Sequence, residues 1–180
     1  WSNYYHRIWH LGMLRKFAYI FFAGMVGFAL GLCIRVSIDA NKFMIAEWSA
    51  DPVVVVCADS SLSSYRVSQA IDWWGIREKN ITYYHFDHNN EICGRRIVPK
   101  GMILIRGKGS IPQQTYAITT RLTNRSEMIS AVIVLPNENN NMPRLLEHEL
   151  GHALGMAHVD VVGHIMNPVH ELGGENFWIP

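Results

Sequence analysis

The sequence predicts an α+β domain, a twisted mixed sheet backed by two helices, behind an N-terminal transmembrane helix. Three observations predict it. Apolar strand patterns follow one another around two stretches of helical periodicity. An uncharged, apolar run stands near the N-terminus. Nearly half of the residues (49%) are hydrophobic, enough to bury a core.

That apolar run, residues 17–34 (FAYIFFAGMVGFALGLCI), is 18 residues long, which fits a membrane span of the shorter kind. Gly24, Gly27 and Gly31 are tolerated in membrane helices, and Trp9 and Tyr19 suit the lipid–water boundary. Arg7, Arg15 and Lys16 precede the span, a bias that puts the N-terminus in the cytoplasm and the rest of the chain outside it. A cleaved signal peptide, giving a secreted form, is the competing reading. Ile38-Asp39-Ala40 is a poor cleavage site, and the apolar run is long for a signal core. The layout is then a short segment over 1–16, an anchor over 17–34, a juxtamembrane linker over 35–51 and a folded domain over 52–180.

Within that domain, Val53 to Cys57 is an apolar, β-branched run typical of a buried strand. Ser60 to Ser64 is a polar turn that caps a helix over Tyr65 to Trp74, where Val67, Ala70, Ile71 and Trp74 recur at helical spacing. Trp73 and Trp74 are its core aromatics. Further strands are expected over Ile81–Phe86, Met102–Arg106, Tyr116–Leu122 and Ile129–Leu135. Pro143 suits the first turn of a second helix. Cys57 and Cys93 can pair in an oxidising compartment or remain buried thiols; the spacing leaves both open. The 16 basic and 15 acidic residues give a net charge of +1, so nothing electrostatic points to nucleic acid.

The chemistry concentrates in residues 148–158, HELGHALGMAH. Residues four apart on a helix share a face, so His148 and His152 can aim imidazole nitrogens at one ion. Glu149 lies about 100° around the helix, beside the ion without ligating it. Gly155 accepts positive φ, ends the helix and lets the chain return His158 as a third ligand. Three neutral imidazoles leave one position of a tetrahedral Zn2+ for water, which the ion acidifies. Glu149 is then placed to act as general base and pass the proton to a leaving amine. A closed structural zinc site normally uses cysteine, and none is nearby.

This run is similar to the metzincin signature H-E-x-x-H-x-x-G-x-x-H followed by a Met-turn. Downstream stands His164-Ile165-Met166-Asn167-Pro168, and the spacing from His158 to Met166, with a proline soon after, resembles matrixins. The resemblance implies a zinc endopeptidase acting on a peptide or protein substrate. It implies that Met166 forms a hydrophobic floor under the metal. It implies also that Pro168 and Val169, with His170 near them, line the pocket for the side chain beyond the cut bond, and that an edge strand, Tyr116–Leu122, binds extended substrate. Matrixins carry structural calcium, and His85, Asp87, His88, Asn89 and Glu91 share one loop; a calcium ion there competes with a solvated polar turn. Asp160 is a candidate to support a ligand histidine. His164 and His170 read as loop histidines. Residues 171–180, with Gly173, Gly174 and Pro180, depart from the longer matrixin C-terminal helix. The alternative to an enzyme is a non-catalytic, membrane-tethered binding or assembly protein that keeps the zinc site; an intact Glu149 argues against it.

Overall fold

A computed structural model describes residues 43–77, 79–113 and 115–177. Seven main elements follow in order: β1 (Val53–Cys57), α1 (Ser64–Gly75), β2 (Tyr83–Asp87), β3 (Met102–Arg106), β4 (Ile118–Asn124), β5 (Glu127–Val134) and α2 (Leu145–Ala153). The strands form one sheet in the order β2-β1-β3-β5-β4. All neighbours are parallel except β4, which runs antiparallel to β5 and forms an edge. This is the mixed sheet with two helices that the sequence predicts. The expected membrane span over 17–34 lies outside the described residues; among those described, no helix is long and apolar enough to cross a membrane.

Local chemistry sets the elements. β1 and β3 match their predicted ends because VVVVC and MILIR lie inside a parallel sheet, with apolar partners on both faces. The Ser63 hydroxyl accepts the Arg66 amide at 3.2 Å and caps α1. Val67, Ala70, Trp73 and Trp74 of α1 are buried. Trp74 donates its indole N–H to the Glu147 carbonyl at 2.9 Å, and Arg66 grips the buried Glu147 carboxylate with two hydrogen bonds of 2.8 and 2.6 Å. Those bonds hold α2 against α1.

Several boundaries differ from expectation. β4 begins at Ile118 because the Tyr116 carbonyl is taken by the Asn139 side chain at 2.7 Å rather than by a neighbouring strand. β2 spans Tyr83–Asp87 rather than Ile81–Phe86, and β5 spans Glu127–Val134 rather than Ile129–Leu135. Pro143 stands outside α2: its carbonyl meets the His170 ring Nε2 at 3.0 Å, and Arg144 takes a left-handed conformation (φ 61°) before the helix starts.

Within the stretch read as a linker, Phe43 to Trp48 packs on the domain. Ala46 is buried, the Ile45 amide donates to Gly155, the Ala157 amide donates to Phe43, and the Trp48 indole donates to Ala153. On the opposite face of the sheet, Val55, Cys57, Cys93 and Leu104 form a small second core. Cys57 and Cys93 are joined in a disulfide, which closes the alternative the spacing left open. Asp87 organises the adjoining loop: its carboxylate accepts the amides of Glu91, Ile92 and Cys93 at 2.9, 2.8 and 2.6 Å. These bonds, the one from Cys93 foremost, hold its carboxyl below the usual range. The carboxylate is occupied by backbone amides, so the calcium reading of this loop finds no support.

Candidate metal centre and cleft

α2 ends at Ala153, and Gly155 (φ 101°) turns the chain away. Only glycine fits here, since a Cβ would run into the Ala46 carbonyl oxygen. The turn returns His158 to the face of α2 that carries His148 and His152. Ring centroids stand 4.8 Å apart for His148–His152, 5.4 Å for His148–His158 and 4.6 Å for His152–His158. Their candidate ligand nitrogens lie within 4.8 Å of one another, the one such group of metal-binding side chains among the described residues.

The tautomers suit a cation. The Nδ1 atom of His148 meets the Ile165 carbonyl at 2.7 Å, and that of His152 meets the Met156 carbonyl at 2.9 Å. A carbonyl only accepts, so each Nδ1 carries the proton and each Nε2 keeps its lone pair. His152 Nε2 faces His158 Nε2 at 3.1 Å. Zinc–nitrogen distances of about 2.0–2.1 Å set ligand nitrogens roughly 3–4 Å apart, so this donor set fits zinc after small adjustment. Burial pushes His148 down to about 4 and His152 down to about 3, and lowers His158 as well. All three rings are therefore neutral near pH 7, the form that ligates. Asp160, a candidate support, is exposed; backbone carbonyls orient the His148 and His152 rings instead.

Met166 is fully buried beneath this group. Its sulfur occupies the space a Cβ at Gly151 would need, and that Cβ would also lie 2.8 Å from the Trp74 ring. The Met166 amide donates to Nδ1 of the buried His164 at 3.0 Å, and its carbonyl accepts from Val159 at 2.8 Å. His164 thus organises the turn under the cluster, a role its sequence position does not reveal.

Glu149 points from α2 toward β4. Its Oε2 accepts the Thr119 hydroxyl at 2.5 Å. Burial pushes Glu149 up to about 7, with the Thr119 bond pulling the other way. Two residues along β4, Arg121 donates to the Met156 carbonyl at 2.9 Å and the His152 carbonyl at 3.4 Å. A cleft of about 790 Å³ runs between β4 and α2. His148, Glu149, His152 and His158 line it, and so do Tyr116, Thr119 and Arg121 on one side and Pro168, Val169, His170 and Glu171 at one end. The structure brings His148, Glu149, His152, His158, Pro168 and Val169 to one cleft with Met166 buried below it, leaves Asp160 out, and adds Thr119 and Arg121.

With this geometry established, comparison with known families is decisive. The matrixin family model matches residues 63–179 of the 180. The chain belongs to the matrixin family. A search of curated proteins finds no match to it. As a matrixin, it carries a metalloprotease-like domain, for which a three-histidine cluster able to bind a metal ion is the expected centre.

Proposed function

We propose that this matrixin is a membrane-anchored zinc endopeptidase with His148, His152 and His158 as metal ligands and Glu149 as general base. The observation that carries this reading is the convergence of three neutral imidazoles beside a carboxylate already oriented by Thr119. A zinc ion in that cluster supplies an acidified water and polarises the substrate carbonyl. Glu149 takes the proton from the attacking water through the oxygen that Thr119 leaves free, then hands it to the leaving amine. Met166 keeps the underside of the cluster dry and fixes the distance between α2 and the turn below it. Among the described residues, the outer edge of β4 has no strand partner, so an extended peptide can pair with it and cross the site. Pro168 and Val169 border the pocket for the side chain beyond the cut bond.

The anchor over 17–34 and the placement of the domain outside the cytoplasm belong to the same proposal. Three features support them: the uncharged run, the basic residues before it, and a Cys57–Cys93 disulfide of the kind that persists in oxidising compartments.

The deciding experiment measures zinc content and peptide cleavage by the full chain. Wild type cleaves; Glu149→Ala retains zinc and loses cleavage; His148→Ala loses both. Equal cleavage by wild type and Glu149→Ala would refute the catalytic role. Digestion of the domain by protease added to intact cells or sealed vesicles tests the topology, and protection of the domain would reverse it.

A further inference from the structure

The end of the cleft nearest His152 and His158 holds a cation that no carboxylate among the described residues pairs. Arg121 follows Thr119 by two residues, so both side chains leave β4 on one face, toward α2. One guanidinium nitrogen, Nη1, donates to the carbonyls of Met156 and His152, which pins the group against the C-terminal end of the helix. A guanidinium offers five N–H donors in a rigid fork, so donors on Nε and Nη2 remain for the cleft that Arg121 lines. Among the described residues, no ion pair includes Arg121. Burial lowers its pKa, as burial does those of His152 and His158, to which the charge of Arg121 adds a smaller lowering. Capping the helix end accounts for Nη1; it does not account for the edge facing the cleft.

The opposite end has the other sign. Glu171 lines the cleft there and accepts the Tyr116 hydroxyl at 3.1 Å, beside Val169 and His170. A carboxylate on a bound peptide would be repelled at the Glu171 end and attracted at the Arg121 end. Val169 borders the pocket for the residue beyond the cut, so the Arg121 end receives the residues before it.

We propose that Arg121 makes this enzyme select substrates with an aspartate or glutamate side chain shortly before the cut bond, through charge-assisted hydrogen bonds from its free edge to that carboxylate. The inference rests on the proteolytic reading and names the substrate class of the same cleft. Guanidinium and carboxylate match as a planar, bidentate pair, which favours a carboxylate over an isosteric amide. The pair stays partly solvated, so its contribution is moderate and salt-dependent.

The test uses the zinc-loaded full chain and a set of fluorogenic peptides with one frame. Glu, Gln or Lys is stepped through each of the three positions before the cut, and kcat/KM is compared within each set. Wild type prefers Glu over Gln at one position by on the order of fivefold, and the preference shrinks as salt rises. Arg121→Gln abolishes the preference, Arg121→Lys keeps part of it, and Arg121→Glu turns it toward Lys. Arg121 also holds the Met156 carbonyl, so absolute rates fall in these variants. The Glu-to-Gln ratio within one variant is free of that effect, and the wild-type salt dependence stands without any variant. A wild type that cleaves without favouring Glu, or an Arg121→Gln variant with the wild-type ratio, overturns this inference alone. No cleavage by wild type, or undiminished cleavage by Glu149→Ala, overturns the proteolytic reading and this inference with it.

Discussion

Replacing Gly155 by alanine tests the geometric basis of the metal centre at a residue that touches no ligand atom. Gly155 sits at φ 101°, where an L side chain costs about 1–2 kcal/mol. The added Cβ also meets the Ala46 carbonyl oxygen, so residues 43–47 must move away. That movement strains two hydrogen bonds across the same junction, Ile45 to Gly155 at 2.8 Å and Ala157 to Phe43 at 2.7 Å, each contributing about 1 kcal/mol. The total is roughly 3–4 kcal/mol, or a Tm loss of about 10–15 °C for a domain of this size. Zinc affinity falls too, by about tenfold or more, because His158 follows the turn. Thermal melts by circular dichroism, with chelator and with zinc, read the first effect. A competition titration against a chromophoric chelator reads the second. A Tm within about 2 °C of wild type, with unchanged zinc affinity, would show that the turn neither needs glycine nor sets the third ligand.

Thr119→Val keeps the shape of the side chain and removes the donor to Glu149; kcat should fall about tenfold with zinc content and KM nearly unchanged, and equal kcat values would count against an orienting role. Cys57→Ser opens a bridge between residues separated by 36 positions, which by chain entropy costs about 4 kcal/mol, so its Tm should fall to that of reduced wild type. In the metal-free protein, the folded-state imidazoles of His148 and His152 titrate near 4 and 3, below their unfolded value of about 6.5. Their contribution to stability is complete above pH 6.5 and is lost as pH falls toward 4. Glu149, raised to about 7, acts in the opposite direction over part of that range, but it is one group against two. Melts in chelator should therefore show Tm falling from pH 7 to 5, and a flat or rising Tm would contradict the burial assigned to the two rings.

The parts of the fold legible in sequence are those decided by neighbours in sequence. β1 and β3 are continuous apolar runs, and any strand buried on both faces reads that way. The ligands and Glu149 were legible because helical spacing and one glycine place them within eleven consecutive residues. What escaped was settled across the fold. Thr119 meets Glu149 across 30 positions, and Arg121 reaches Met156 across 35, so neither contact leaves a local pattern. β4 was placed two residues early because an asparagine from another loop takes the Tyr116 carbonyl. Residues 43–48 read as a linker because their polar and apolar residues follow neither period; single contacts hold them, Ala46 in the core and Trp48 on the end of α2.

Those long-range contacts meet at one place. The Met156 carbonyl receives both the His152 ring and Arg121 of β4, while Gly155, one residue earlier, is gripped by Ile45. The Ile165 carbonyl that orients His148 belongs to the turn carrying Met166, which packs back on Gly151. The His148 ring is thus aimed by a carbonyl from outside the motif, and the Met156 carbonyl that aims His152 is itself held by Arg121 of β4. A peptide spanning residues 143–158 alone would have the donors without the Ile165 carbonyl that orients His148, without the Arg121 contact to the Met156 carbonyl, and without the segment that holds the turn at Gly155. It should bind zinc far more weakly than the domain does, and titration of both under one chelator measures how much of the affinity lies in the scaffold rather than in the histidines. Equal affinities would mean that the motif assembles itself and that the contacts made by Arg121, Ile45 and Met166 are incidental to metal binding.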